Sequence, residues 1–248
     1  MGYIFSFKDS LAYDQWFNEP MNQRVIDFQS KLMINLLNPN SGETLLDIGC
    51  GSGLSLRSFA DRNLYLTGID PSPYMLDIAI KNFKNRVDFH RGYAENLPFD
   101  DNAFTYSILN TTLEFVENPS KALEEACRVT KDRIFIGILN RYALEGIKRR
   151  IKGLFVETIY NHARFFSIWE IKEIVRSILG DVPITWRTVG NLPASGSQFT
   201  SKVEESHFIQ KSPFGAFAGM AVTLVPRFKT KPMKLKFCPK HYPGVVSG

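Results

Sequence analysis

The sequence predicts an α/β fold: a doubly wound, mostly parallel sheet of seven strands whose last strand is antiparallel. Three features carry that reading. Short apolar runs alternate with segments of helical periodicity, a pattern that parallel strands covered on both faces produce. The first apolar run passes straight into a glycine-rich loop, Gly49-Cys50-Gly51-Ser52-Gly53, and then into a helical segment. The last two apolar runs are separated by a stretch without helical pattern, which favours antiparallel pairing.

Each element has its own signal. Val25, Phe28, Leu32, Leu36 and Leu37 recur at helical spacing, in a segment opened by Asn18-Glu19-Pro20 and closed by the Asn-Pro-Asn-Ser-Gly of residues 38–42. Residues 1–38 thus read as a helical cap, with Tyr13 and Trp16 ahead of its first helix. A strand follows at Thr44–Ile48, a helix from residue 54 to about 60, and a strand at 64–70. Ser72-Pro73 supplies a hydroxyl cap and a proline at the first helical position. Met75, Leu76, Ala79, Ile80 and Phe83 form that helix's apolar face. Strands are predicted at 87–90 and 104–109. Asn118-Pro119 repeats the cap-plus-proline signal before Ala122, Leu123, Ala126 and Cys127. Residues 130–133 read as a turn leading into a strongly apolar strand at 134–139. Ser167 and Glu170 make a capping box for a helix that buries Ile168, Ile171, Ile174, Val175 and Ile178 and stops at Gly180. Strands at 184–189 and 217–225 complete the sheet.

Composition bounds the class. A chain of 248 residues with 44% hydrophobic and 22% charged residues buries its own core, and is not disordered, collagenous or coiled-coil. No apolar run approaches the roughly 18 residues of a membrane-spanning helix. Three cysteines (Cys50, Cys127, Cys238) without a Cys-x-x-Cys argue against a zinc site or disulfide framework. They suit a reducing, cytoplasmic setting, and no secretion signal is visible. The net charge of +5 is uneven: six of the 30 basic residues and none of the 25 acidic ones lie from Arg227 onward, leaving residues 1–226 at −1. The chain therefore divides into a body, 1–226, and a basic tail, 227–248. Such a tail offers a contact for nucleic acid or an anionic membrane surface.

The glycine loop carries the chemistry. Glycine lets a backbone turn sharply and approach a ligand closely, and the helix behind it offers free N–H groups. A dinucleotide fingerprint needs Gly-x-Gly-x-x-Gly. Here Leu54 occupies the third glycine's place, which disfavours a dehydrogenase. Asp47, two residues before the first glycine, suits a cationic ligand end instead. Asp70, closing the second strand, can accept hydrogen bonds from both hydroxyls of a ribose.

This combination resembles the class I S-adenosylmethionine-dependent methyltransferases, which are Rossmann-like. Asp47 through Gly53 is similar to their first motif and Asp70 to their second. Gly92-Tyr93-Ala94-Glu95-Asn96-Leu97-Pro98-Phe99, with Asp101 and Phe104, resembles the adenine-side motif of the type 11 group. Leu113 to Pro119, with Ala122-Leu123 and Arg128-Val129, resembles the segment after the fourth strand. The likeness covers residues 43–139. It implies S-adenosylmethionine as methyl donor and S-adenosylhomocysteine as product, held by Asp47, Gly49, Gly51, Gly53, Asp70, Pro71, Met75, Ala94, Glu95 and Asn110. Tyr93 departs from the family's acidic residue near the adenine amine, which passes that contact to Ala94 and Glu95. Asn110-Thr111-Thr112 lacks the Pro-Pro-aromatic sequence of adenine N6 methylators.

Three segments are candidates for the acceptor's wall. Tyr13-Asp14-x-Trp16 resembles the start of a lid in related enzymes, and Thr111 follows the fourth strand. The third is a lid-like insert at 140–166, with an apolar stripe (Leu144, Ile147, Ile151, Leu154) and a basic side (Lys148, Arg149, Arg150, Lys152). Within it, Tyr160 and Arg164 are candidate acceptor contacts, and His162 is the candidate general base. The leading reading is a methyltransferase acting on a small, possibly hydrophobic molecule. Its alternatives are an RNA or protein methyltransferase tethered by the basic tail, and a cofactor-binding module without transfer activity.

Overall fold

A computed structural model describes residues 2–143, 162–190 and 206–224. Helix α1 (Phe7–Asn18) and helix α2 (Pro20–Leu37) precede strand β1 (Thr44–Ile48). Then come α3 (Leu54–Arg57), β2 (Tyr65–Asp70), α4 (Pro73–Phe83), β3 (Asp88–Arg91), β4 (Phe104–Asn110), α5 (Pro119–Val129) and β5 (Thr130–Leu139). The described chain ends with α6 (Ile168–Leu179), β6 (Ile184–Val189), α7 (His207–Gln210) and β7 (Phe217–Thr223).

The seven strands form one sheet in the order β3-β2-β1-β4-β5-β7-β6. β1 to β5 run parallel, and β7 lies antiparallel between β5 and β6. Side chains alternate across the sheet. Leu46, Ile48, Leu109 and Ile136 face α5 and α6, while Leu45, Ile108 and Phe135 face α2, α3 and α4. Two apolar layers therefore sandwich the strands. Full burial of a side chain such as Leu32 or Leu37 on α2 is worth about 1.5–3 kcal/mol. The chain order reverses between β1 and β4, so their carboxyl ends part and leave a crevice there.

The predicted caps are formed. Ser72 accepts from the Met75 N–H, Asn118 from the Lys121 N–H and Ser167 from the Glu170 N–H, and Glu170 returns a bond to Ser167. Four local expectations are corrected. Tyr13 and Trp16 do not precede the first helix; they lie on α1, opened by a capping box between Ser6 and Asp9. The helix after the glycine loop is a single turn, Leu54–Arg57, followed by further turns. Residues 130–133 are strand, not turn. Thr130 passes directly from α5 into β5, and its hydroxyl caps the Ala126 carbonyl at 2.6 Å. The link between β6 and β7 contains one helical turn, α7. Most of the insert (144–161) and the whole tail (227–248) lie outside the described residues. No helix among the described residues is long and apolar enough to cross a membrane.

Candidate active site

A cleft of about 1380 Å³, open mouth included, lies over the carboxyl ends of β1, β2 and β4. The β1–α3 loop forms its floor. The Gly49 and Cys50 N–H groups both donate to the Ile69 carbonyl at 2.8 and 3.0 Å, which bends the chain off β1. The glycines then differ in role. A Cβ on Gly49 would stand 2.4 Å from Thr112 Cγ2, and one on Gly53 2.5 Å from the Phe83 ring. Those two permit close packing. Gly51 has φ +52° and nothing within 4 Å of its Cβ position, so it presents bare backbone to the cleft.

Asp70 fixes that backbone. One of its oxygens accepts from the Gly51 N–H (2.9 Å) and the other from the Ser72 N–H (2.8 Å). Burial pushes its carboxyl up to about 6, against the two backbone donors, which favour ionisation. The side chain lines the cleft, and each oxygen retains capacity for a further donor. Asp47 is buried on β1, and neither of its oxygens has a partner among the described residues. Burial, and then the charge of Asp70, push it up to about 8. A buried carboxylate without a partner is costly, and a cationic ligand group nearby relieves that cost.

The far wall follows β4. Asn110 donates from Nδ2 to Ser55 Oγ (3.0 Å), while its buried Oδ1 has no partner among the described residues. Thr111 has φ +56°, a left-handed conformation rare for a β-branched residue and concentrated at functional sites. Its N–H is held by the Gly137 carbonyl on β5 at 2.8 Å. Thr112 donates to the Ile48 carbonyl (2.7 Å), tying this wall to the floor. Glu95 lines the cleft, but one oxygen already accepts from the Glu117 N–H (2.9 Å) and more weakly from the Asn118 N–H.

Of the sequence-predicted site residues, the structure brings Gly49, Gly51, Asp70, Pro71, Met75, Ala94, Glu95, Asn110, Thr111, Tyr13 and Trp16 together at this cleft. Gly53 and Asp47 stand behind it, in packing and in the strand. His162 and Arg164 do not line it. His162 is exposed and stacked on Tyr3, and the Arg164 guanidinium lies 4.9 Å over the Phe166 ring. His162 is thus misplaced for a base acting inside the cleft. Tyr160 lies outside the described residues.

Several cleft residues escaped the sequence reading. Residues 2–5 line it with no local signal, and Val25 and Gln29 reach it from α2. Phe115 belongs to a matched motif without being singled out. Glu114 beside it is buried, its carboxyl pushed up to about 8 by burial, with one oxygen accepting from the Leu139 N–H and the other unpartnered among the described residues.

These features fit an adenosyl sulfonium: bare backbone at Gly51, an ionisable pair at Asp47 and Asp70, and an orphaned amide oxygen at Asn110. The comparisons agree. Residues 46–135 match the family model "Methyltransferase domain". An uncharacterized protein of Methanocaldococcus jannaschii is 34% identical over 171 residues, 67% of this chain and 76% of that one. The demethylmenaquinone methyltransferase of Paenarthrobacter aurescens is 37% identical over 101 residues, so this chain matches 40% of its length. The crystal structure of an S-adenosylmethionine-dependent methyltransferase from Thermotoga maritima is 26% identical with a TM-score of 0.67, covering 88% of this chain and 96% of that one. With glycine loop, strand-end aspartate and strand order all in the family's arrangement, the chain belongs to the class I S-adenosylmethionine-dependent methyltransferases of the type 11 group.

Proposed function

We propose that this methyltransferase acts on a small, apolar acceptor that lies against an aromatic wall. The observation that carries this reading is the composition of the cleft away from the glycine loop. Phe5, Tyr13, Trp16, Val25, Phe115 and Leu139 line it there. Phe5 meets Tyr13 and Phe115 edge to face, with ring centroids 6.3 and 5.1 Å apart. A flat, weakly polar molecule gains most from such a wall. The similarity to a demethylmenaquinone methyltransferase supports the same acceptor class.

In this reading Asp70 takes the ribose hydroxyls and the Gly51 backbone lies against the ligand. Met75 and Ala94 flank the adenine, and Asn110 with Asp47 favours the charged amino-acid end. S-adenosylmethionine supplies an electrophilic methyl group on a sulfonium. The chain's own task is then to align the acceptor and exclude water. Such positioning can supply several kcal/mol of the barrier. Among the described lining residues the only carboxylates are Asp70 and Glu95, both already bonded to backbone N–H groups. The reading therefore assigns the aromatic wall and Thr111, not a dedicated base, to acceptor alignment.

The test is transfer of labelled methyl from S-adenosylmethionine to a small naphthoquinol, to bulk RNA and to bulk protein. Label in the organic-soluble acceptor is the expected result. Label in RNA, lost when residues 227–248 are removed, replaces this reading with a nucleic-acid methyltransferase. Binding of the methyl donor with no turnover on any acceptor leaves a binding module.

A further inference from the structure

Residues 2–5 span the cleft from one wall to the other. The Tyr3 N–H donates to the Phe115 carbonyl (2.8 Å) on the β4 side. At the other end, the Ser72 hydroxyl donates to the Phe5 carbonyl (2.7 Å), and the Ser72 N–H is itself held by Asp70. Gly2 packs so closely on the backbone of 115–117 that a Cβ there would lie 2.5 Å from the Phe115 oxygen. The segment is thus a strap pinned beside both halves of the cleft.

A further pair of contacts holds the middle of the strap from outside. The Tyr3 phenol donates to Asp9 on α1 (2.9 Å), and Asp9 is also the capping-box acceptor for Ser6. The Tyr3 ring stacks on the His162 imidazole, with centroids 4.2 Å apart and planes 7° apart. His162 lies outside the cleft and is exposed, so removing its side chain deletes none of the cleft surface. It joins the strap to the chain that leads into α6.

We propose that His162 is a positioning residue: through its stack on Tyr3 it latches the 2–5 strap across the cleft and slows release of the adenosyl ligand beneath. This rests on the chain's membership of the S-adenosylmethionine-dependent family and is independent of the acceptor's identity. Opening the strap breaks the stack, whose loss corresponds to roughly two- to tenfold in an equilibrium. The backbone anchors at Phe115 and Ser72 survive that loss, so the cleft keeps its shape and the change falls on how often the strap opens.

The test uses the full chain and S-adenosylhomocysteine as probe. Its dissociation is followed by stopped flow with Trp16 as reporter, and amide hydrogen exchange of residues 2–5 is measured without ligand. His162→Ala should speed dissociation about two- to tenfold and raise exchange in the strap, with the melting temperature unchanged. His162→Phe, which keeps a ring for Tyr3 to stack on, should return both close to wild type. Unchanged exchange and release in His162→Ala overturns the latch. So does a His162→Phe as fast as His162→Ala, since the imidazole's own chemistry is then at work. A wild-type chain that binds no S-adenosylhomocysteine overturns the cofactor assignment, while the ligand-free exchange still reads the latch by itself.

Discussion

Gly51→Val separates the binding role of the loop from its folding role. Gly51 carries φ +52°, and a Cβ placed there meets no atom within 4 Å. The first added carbon therefore meets nothing among the described residues of the free protein. The substitution's cost to folding is the left-handed conformation alone, about 1–3 kcal/mol for a non-glycine residue. The added carbons project where the cleft is open, so a ligand lying against that backbone meets them directly. Crowding of a packed site by extra methyl groups costs roughly 1–3 kcal/mol, or about 5- to 150-fold in affinity. Isothermal titration with S-adenosylhomocysteine measures the affinity, and urea unfolding measures the stability. Gly49→Val is the control. Its Cβ would fall 2.4 Å from Thr112, so it should lose stability beyond the conformational cost alone. Unchanged affinity in a folded Gly51→Val would show that the ligand does not touch this loop.

Three further outcomes follow from a buried carboxyl group and the strained wall. Asp47 sits at about 8 when buried against an ordinary value of 3.8, so the folded chain holds a proton that the unfolded chain has released. Its contribution is fully present below about pH 4 and is lost as pH rises toward 8. Asp47→Asn should therefore lessen the fall in stability across that window, by urea unfolding at several pH values; an unchanged slope would mean that Asp47 is ionised in the free protein. A cationic ligand drives the same proton off, so S-adenosylmethionine binding at pH 7 should release protons in buffers of differing ionisation heat, and less so in Asp47→Asn. Thr111→Gly should relieve a left-handed residue worth about 1–2 kcal/mol against glycine's extra chain entropy of about 0.5–1 kcal/mol. Stability should then be equal or up to about 1.5 kcal/mol higher, while methyl transfer falls; a clear loss of stability would show that the threonine is held there by packing.

What the sequence revealed and what it hid divide along a physical line. The strands, the glycine loop and Asp70 are each encoded locally, in apolar runs, glycine spacing and cap-plus-proline pairs. Those features are met in the structure at or near the expected positions, while the order of the strands in the sheet had no local signal. Helix α1 was missed because its outward face carries Phe7 and Leu11, both largely exposed, so no single apolar stripe marks it. Its capping box, Ser6-x-x-Asp9, was the available signal. Residues 130–133 read as a turn by position, yet Thr130 satisfies the helix end with its own hydroxyl and lets the strand begin at once. The strap at 2–5 and the placement of His162 depend on contacts across more than a hundred residues of chain, from Tyr3 to Phe115 and His162. No local pattern carries that information.

The displacement of His162 from the cleft changes what the enzyme must do. A histidine base would make turnover depend on its proton inventory near neutral pH. With no histidine among the described residues that line the cleft, the proposed function calls for an acceptor atom that is already nucleophilic or loses its proton to water, and for a rate that rests on how rigidly the walls hold it. The geometry answers that need from both sides. Thr111 is pinned to β5 through Gly137, Thr112 to β1 through Ile48, and the strap to the segments that follow β4 and β2 through Phe115 and Ser72. The β4 side of the cleft and the strap are thus held by hydrogen bonds to the chain around the strand ends, which stiffens that part of the surface against which an acceptor would lie. On this account, substitutions such as Trp16→Ala should act mainly on the acceptor's KM, while those that loosen a wall's anchor should act on kcat as well, because misalignment lowers the population of reactive encounters. A Trp16→Ala variant that lost kcat with an unchanged acceptor KM would place the tryptophan in the reacting geometry itself.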